Sequence, residues 1–154
     1  MAADVEHLLG IPWAADGRHP ARGLSCYGLL LEVYRIAGAT APSLWLPAAD
    51  GSEQPQFAAD VLASFATHWD ALPGPAPMAC LSLPCPWFDG GGHCAVLLGD
   101  DTVIHAMPTT GVIRQPLARI AGKVCGYYRL REPAPMRVTP SAQALAHAWP
   151  EPRR

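Results

Sequence analysis

Residues 92–107 read GHCAVLLGDDTVIHAM. Two apolar runs, His93–Leu98 and Thr102–Ala106, flank the turn signal Gly99-Asp100-Asp101, which is the pattern of a β-hairpin. A three-residue loop pairs Leu98 with Thr102. It then sets His105 opposite Ala95 and His93 opposite Met107. Both histidines point to one face, a diagonal step of about 7–8 Å apart. A two-residue turn would send them to opposite faces, because a slip of one residue flips every side chain.

Working outward, further strands are expected at Met78–Leu83, Gly111–Arg114 and Val124–Leu130. The earlier half of the chain has helical texture. A helix is expected from Cys26 to Ala37, with Ser25 as N-cap and Gly38 as the left-handed C-cap. Its buried face would hold Leu29, Leu30, Val33, Tyr34 and Ala37, with Glu32 and Arg35 on the other side. A second amphipathic helix is expected over Phe57–Leu72, with Phe57, Val61, Leu62, Phe65 and Trp69 in its stripe and Pro73, Pro75 and Pro77 ending it. A short helix closed by Gly10 opens the chain. Helices first and antiparallel strands second define an α+β domain. That domain is expected over residues 1–130. Residues 131–154 are proline-rich and read as a weakly ordered tail, with a short helix near Ser141–Trp149.

The composition fits one domain of 154 residues. Half the residues are hydrophobic and 16% are charged, against a usual charged share of about 25%. Glycine (14) and proline (17) are abundant, which favours short elements joined by stiff loops. The net charge of −2 provides no basic field, so no nucleic-acid partner is expected. No apolar run approaches the roughly 18 residues of a membrane span, so no membrane insertion is expected. The first ten residues lack a basic, apolar leader pattern, and synthesis in the cytoplasm is the expectation. Five cysteines, Cys26, Cys80, Cys85, Cys94 and Cys125, are an odd number, which argues against a disulfide framework.

Cys26 follows a glycine-rich loop and opens the best helix. Helix-start N–H groups carry partial positive charge and favour a thiolate there. A small buried hydrophobe is the bland alternative for any cysteine. What raises Cys26 above it is a pair of candidate bases, His93 and His105, on one hairpin face. His7, His19, His68 and His147 read as surface or packing residues.

Together, GIPWAADGRHPARGLSCYGLLLEVYRIAG (10–38), GGHCAVLLGDDTVIHAMPTTGVI (91–113) and VCGYYRL (124–130) resemble the NlpC/p60 cell-wall peptidases. The version in phage and prophage tails is the nearest likeness. The family's Asp-Cys-Ser-Gly-Leu motif corresponds to Ser25-Cys26-Tyr27-Gly28-Leu29. Its Gly-His-Val-Gly-Ile-Tyr-Leu-Gly motif corresponds to Gly92–Gly99, and its Phe-Ile-His-Ala to Val103–Ala106. The resemblance implies a papain-like fold, with N-terminal helices packed on an antiparallel sheet. It implies Cys26 as nucleophile, His93 as general base and His105 as the group orienting the imidazole. Trp13 falls where the family has a tyrosine near the thiol, and Ser25 and Tyr27 flank the nucleophile as supporting or substrate-binding residues. The implied reaction is hydrolysis of peptidoglycan stem peptides, often between D-glutamate and diaminopimelate, with no metal and no cofactor. Phage tail proteins are the implied partners, and a tail or virion the implied destination. Ser25 departs from the family's aspartate. The Gly-Asp pair that opens the strand before the first histidine is replaced by PMACLSLPC (77–85).

Other readings stay open at this point. A degenerate site would leave a tail-assembly protein. The same Cys–His pair could run acyl transfer or amide hydrolysis. A zinc site through Cys80, Cys85, His93 and Cys94 has poor spacing, and neighbours on a strand point to opposite faces.

Overall fold

The computed structural model describes residues 4–15, 17–41, 46–47, 53–54, 68–84 and 92–131. Two short strands, β1 (Arg18–His19) and β2 (Gly23–Leu24), lead into helix α1 (Cys26–Ile36). The two-residue strands β3 (Leu46–Pro47) and β4 (Glu53–Gln54) pair with each other. The main sheet follows, built from β5 (Trp69–Leu72), β6 (Cys80–Pro84), β7 (Gly92–Leu97), β8 (Thr102–Met107), β9 (Gly111–Pro116) and β10 (Gly126–Leu130). Its order is β5-β10-β6-β7-β8-β9, antiparallel throughout. The fold is therefore α+β, as the sequence pattern predicts.

Strands β6 and β7 run through the middle and are buried on both faces. One face carries Cys80, Cys94, Val96, Ile104 and Ala106 and packs against Leu29, Leu30, Val33 and Tyr34 of α1. The other face holds Leu81, Leu83, Ala95, Leu97 and Val103 under Ile120. Each fully buried Leu or Val contributes about 1.5–3 kcal/mol, so both faces hold the sheet rigid beneath the helix. Tyr34 Oη donates to the Met78 carbonyl at 2.7 Å and fixes the helix over the entry to β6.

The helix boundaries follow the capping chemistry. Ser25 Oγ accepts from Gly28 N at 3.0 Å and donates to Gly17 O at 2.9 Å. One side chain thus caps the helix and ties it to the preceding loop. That loop lies so close that a Cβ on Gly28 would come 2.0 Å from Gly17 O, so glycine is required there. Gly38 takes φ +89° just past the C-cap, the left-handed exit.

The β7–β8 connection is the three-residue loop. Leu98 N donates to Thr102 O at 2.8 Å, and Val96 and Leu97 pair with Ile104 and Val103. Asp101 sits at φ 64°, the left-handed position that such loops need.

Several expectations change. Residues 69–72 form a strand rather than the end of a helix. Trp69 is buried against Tyr34 (ring centroids 5.7 Å apart), and β10 supplies the backbone partners. Pairing to β10 outweighs the helical periodicity, which is a weak prior. Residues 57–67 of that expected helix lie outside the described residues, as do His147 and the tail beyond 131. The opening helix is a single 3-10 turn, Glu6–Leu8. Glu32 is buried instead of solvated. Arg35 donates to both its oxygens, at 3.0 and 2.6 Å, and holds its carboxyl below the usual range. The guanidinium fork makes burial of that charge tolerable.

Candidate active site

Helix α1 presents Cys26 as its first residue, at the opening of β7. Burial at this point is uneven. Cys26 keeps partial exposure, while Tyr27, His93, Cys94 and His105 are buried. The described β7–β8 ladder ends at Val96 and Ile104. Beyond it, the two histidines meet side by side, with His93 Nε2 2.9 Å from His105 Nδ1 and ring centroids 5.2 Å apart. The diagonal contact expected of a three-residue loop is thus realised. His105 Nε2 in turn lies 3.3 Å from Gln115 Oε1 on β9.

His93 and Cys94 both act on the Cys26 thiol. These are adjacent strand residues, which alternation would send to opposite sides. Cys94 also bonds Cys80, the next cysteine along the helix-facing layer. All of these cysteines are free thiols.

The two contacts act on Cys26 in opposite directions. The Cys94 thiol and burial push the Cys26 thiol well above its ordinary value, while His93 pulls it down. The net direction is up. That direction is opposite to what the helix start by itself favours. For Cys94, the bond to Cys26 lowers the thiol, but the bond to Cys80 and burial together raise it. His105 is held below the ordinary histidine value, first by burial, with the Gln115 bond opposing. It is therefore a neutral imidazole at neutral pH.

The supporting residues fall into place unevenly. Ser25 is the cap and loop tie. Its hydroxyl, in place of a carboxylate, serves the helix. Tyr27 is 2% exposed and belongs to the core under α1. Trp13 is half-buried, forms a parallel bridge with Leu24, and packs against the same core. His7, His19 and His68 are exposed, as surface histidines should be.

Cys94 and Gln115 escape the sequence reading. Gln115 could have been found from the Pro108–Thr110 turn. The β8–β9 register pairs His105 with Ile113 and Val103 with Gln115, which places Gln115 on the diagonal to His105. Cys94 carries no comparable signal, because strand alternation predicts the wrong neighbour for it.

With this geometry in hand, three solved structures show the same fold. The NlpC/p60 domain of the peptidoglycan hydrolase SagA matches with a TM-score of 0.51 and 22% identity, over 80% of this chain and 91% of that one. A protein similar to a lipoprotein of the NLP/P60 family, from Staphylococcus aureus Mu50, matches at 0.54 and 20%, over 80% and 38%. An NlpC/P60 family protein from Bacillus cereus ATCC 10987 matches at 0.54 and 20%, over 80% and 36%. The chain thus spans nearly all of the first structure and well under half of the other two. No protein-family model matches the sequence, and no curated protein is similar enough to count as a relative. At these identities the likeness is one of fold: the chain is built on the NlpC/p60 architecture.

Proposed function

We propose that this protein is a cysteine peptidase of the NlpC/p60 type that hydrolyses peptidoglycan stem peptides through Cys26, His93 and His105. The observation that carries the reading is one constellation. Cys26 opens helix α1, His93 pulls its thiol down, and His93 Nε2 is 2.9 Å from His105 Nδ1. The sequence motifs and the fold shared with a peptidoglycan hydrolase domain support the substrate class.

The chemistry follows from the resting state. A raised Cys26 thiol is a poor spontaneous nucleophile. His93 therefore works as a general base, taking the S–H proton as sulfur attacks the scissile carbonyl. A C–S bond forms, and the carbonyl π-electrons move onto oxygen. Backbone N–H groups at the Cys26 helix start stabilise the oxyanion. The carbon–nitrogen bond breaks as His93 returns the proton to the leaving amine. Water, deprotonated by His93, then releases the acyl group and restores the thiol. His105 holds His93 in place throughout.

The bond between D-glutamate and diaminopimelate is the proposed target, and a phage or prophage tail the proposed setting. Both rest on the likeness of residues 10–38 and 91–113 to tail-associated members of the family. Incubation with purified stem peptides, read by mass spectrometry, tests the reaction. The expected products are a free γ-carboxyl on D-glutamate and a new amine on diaminopimelate, both absent with Cys26→Ala or His93→Ala. Cleavage that persists in Cys26→Ala, or no cleavage of any stem peptide by the wild type, would overturn the reading.

A further inference from the structure

Gln115 has no role in the chemistry above, yet it ends the line of side chains that begins at the thiol. Two polar contacts run in series from Gln115 Oε1 to His105 Nε2 (3.3 Å) and from His105 Nδ1 to His93 Nε2 (2.9 Å), and His93 at their end pulls the Cys26 thiol down. Each contact holds one proton, and each neutral imidazole brings only one.

The proton count fixes every tautomer once one end is known. A carboxamide oxygen only accepts, so facing Gln115 Oε1 places the proton of His105 on Nε2. His105 Nδ1 is then a lone pair and accepts from His93 Nε2–H. The other nitrogen of His93, the buried Nδ1, is left as the lone pair for the Cys26 proton. Reversing the amide inverts the chain. A donating Gln115 would put the His105 proton on Nδ1, and that N–H would occupy His93 Nε2. His93 would then carry its proton on Nδ1 and could not accept one from sulfur. Neutral His105 is essential to this logic, since an imidazolium has no lone pair for His93. Burial supplies that condition.

We infer that Gln115 is a positioning residue whose carboxamide oxygen sets the tautomers of His105 and His93, so that His93 offers a basic nitrogen to Cys26. This rests on the nucleophile–base reading given above. It predicts that position 115 needs an acceptor, not a particular shape.

The test compares Gln115→Glu (acceptor only), Gln115→Met (neither) and Gln115→Lys (donor only) in the full chain. Histidine tautomers are read from ¹⁵N long-range NMR spectra at pH 8, and cleavage is followed on the same stem peptides. Wild type and Gln115→Glu should both show His105 and His93 with Nε2–H. Gln115→Met should show averaged His105 nitrogens and about tenfold slower cleavage, and Gln115→Lys should lose about 10²-fold or more as the wrong tautomer is imposed. Rescue by glutamate but not lysine is the pattern a merely structural side chain would not give. Should Gln115→Met fail to fold, the glutamate–lysine pair decides alone. An Nε2–H tautomer on His105 that survives Gln115→Met or Gln115→Lys would overturn the inference. The spectra need no substrate. Correct tautomers in a wild type that cleaves nothing would therefore defeat the peptidase reading and leave the tautomer assignment standing.

Discussion

Two chains of side chains meet at Cys26, and they pull its thiol in opposite directions. On one side run His93, His105 and Gln115, which end in an acceptor and keep a basic nitrogen toward the sulfur. On the other run Cys94 and Cys80, thiols in a helix-facing apolar layer, which raise the sulfur's affinity for its proton. The imidazole side resembles what the family motifs imply. The thiol side belongs to this chain, because Cys94 stands where the motif has valine. The comparison teaches that a cysteine can occupy the expected place on the expected fold while burial and a neighbouring thiol push against the pull of its histidine.

The largest effect should come from breaking the imidazole side. Cys26→Ala and His93→Ala each remove a partner in bond making and should lower stem-peptide cleavage by about 10³-fold or more. His105→Ala leaves the base in place but unoriented, and a loss of about 10²–10³-fold in kcat is expected. Retention of near-full activity in His105→Ala would reduce the imidazole side to a dyad.

The thiol side gives a smaller effect of opposite sign. Cys94→Val restores the motif's residue and removes the contact that lifts Cys26. Alkylation of Cys26 by iodoacetamide at neutral pH should then speed up about three- to tenfold. Unchanged alkylation would show that burial alone raises the thiol.

The smallest effects are on stability. Ser25→Ala loses the cap to Gly28 and the bond to Gly17, and should cost about 1–2 kcal/mol in urea unfolding. His105 adds a pH dependence. Burial keeps it neutral in the fold, while the unfolded chain takes up its proton near the ordinary value of 6.5. The unfolded state then binds more protons, so this contribution is complete above about 6.5 and is lost as pH falls from there through the lower folded value. The urea midpoint should drop on acidification below 6.5, and less so in His105→Gln.

Much of this was legible in the sequence. Capping signals placed α1 to within a residue, because Ser25 and Gly38 have local roles that no tertiary contact overrides. The Gly99–Asp101 loop fixed the hairpin register, and with it the meeting of His93 and His105. Trp69–Leu72 was not legible, because a short apolar segment becomes strand or helix according to its partner, and β10 lies 55 or more residues away in the chain. Glu32 was misread for a related reason: its burial depends on a fork from Arg35 that periodicity does not see. The upward push on the Cys26 thiol was hidden as well. The helix start argues for a thiolate, and only the packed structure shows Cys94 arguing against it.

The most direct test of the central claim is the pH dependence of Cys26 alkylation, measured site by site by mass spectrometry in wild type, His93→Ala and Cys94→Val. The account predicts that the midpoint moves up without His93 and down without Cys94, from a wild-type value above that of a free thiol. A midpoint that ignores His93 would contradict the nucleophile–base pair, whatever the fold resembles.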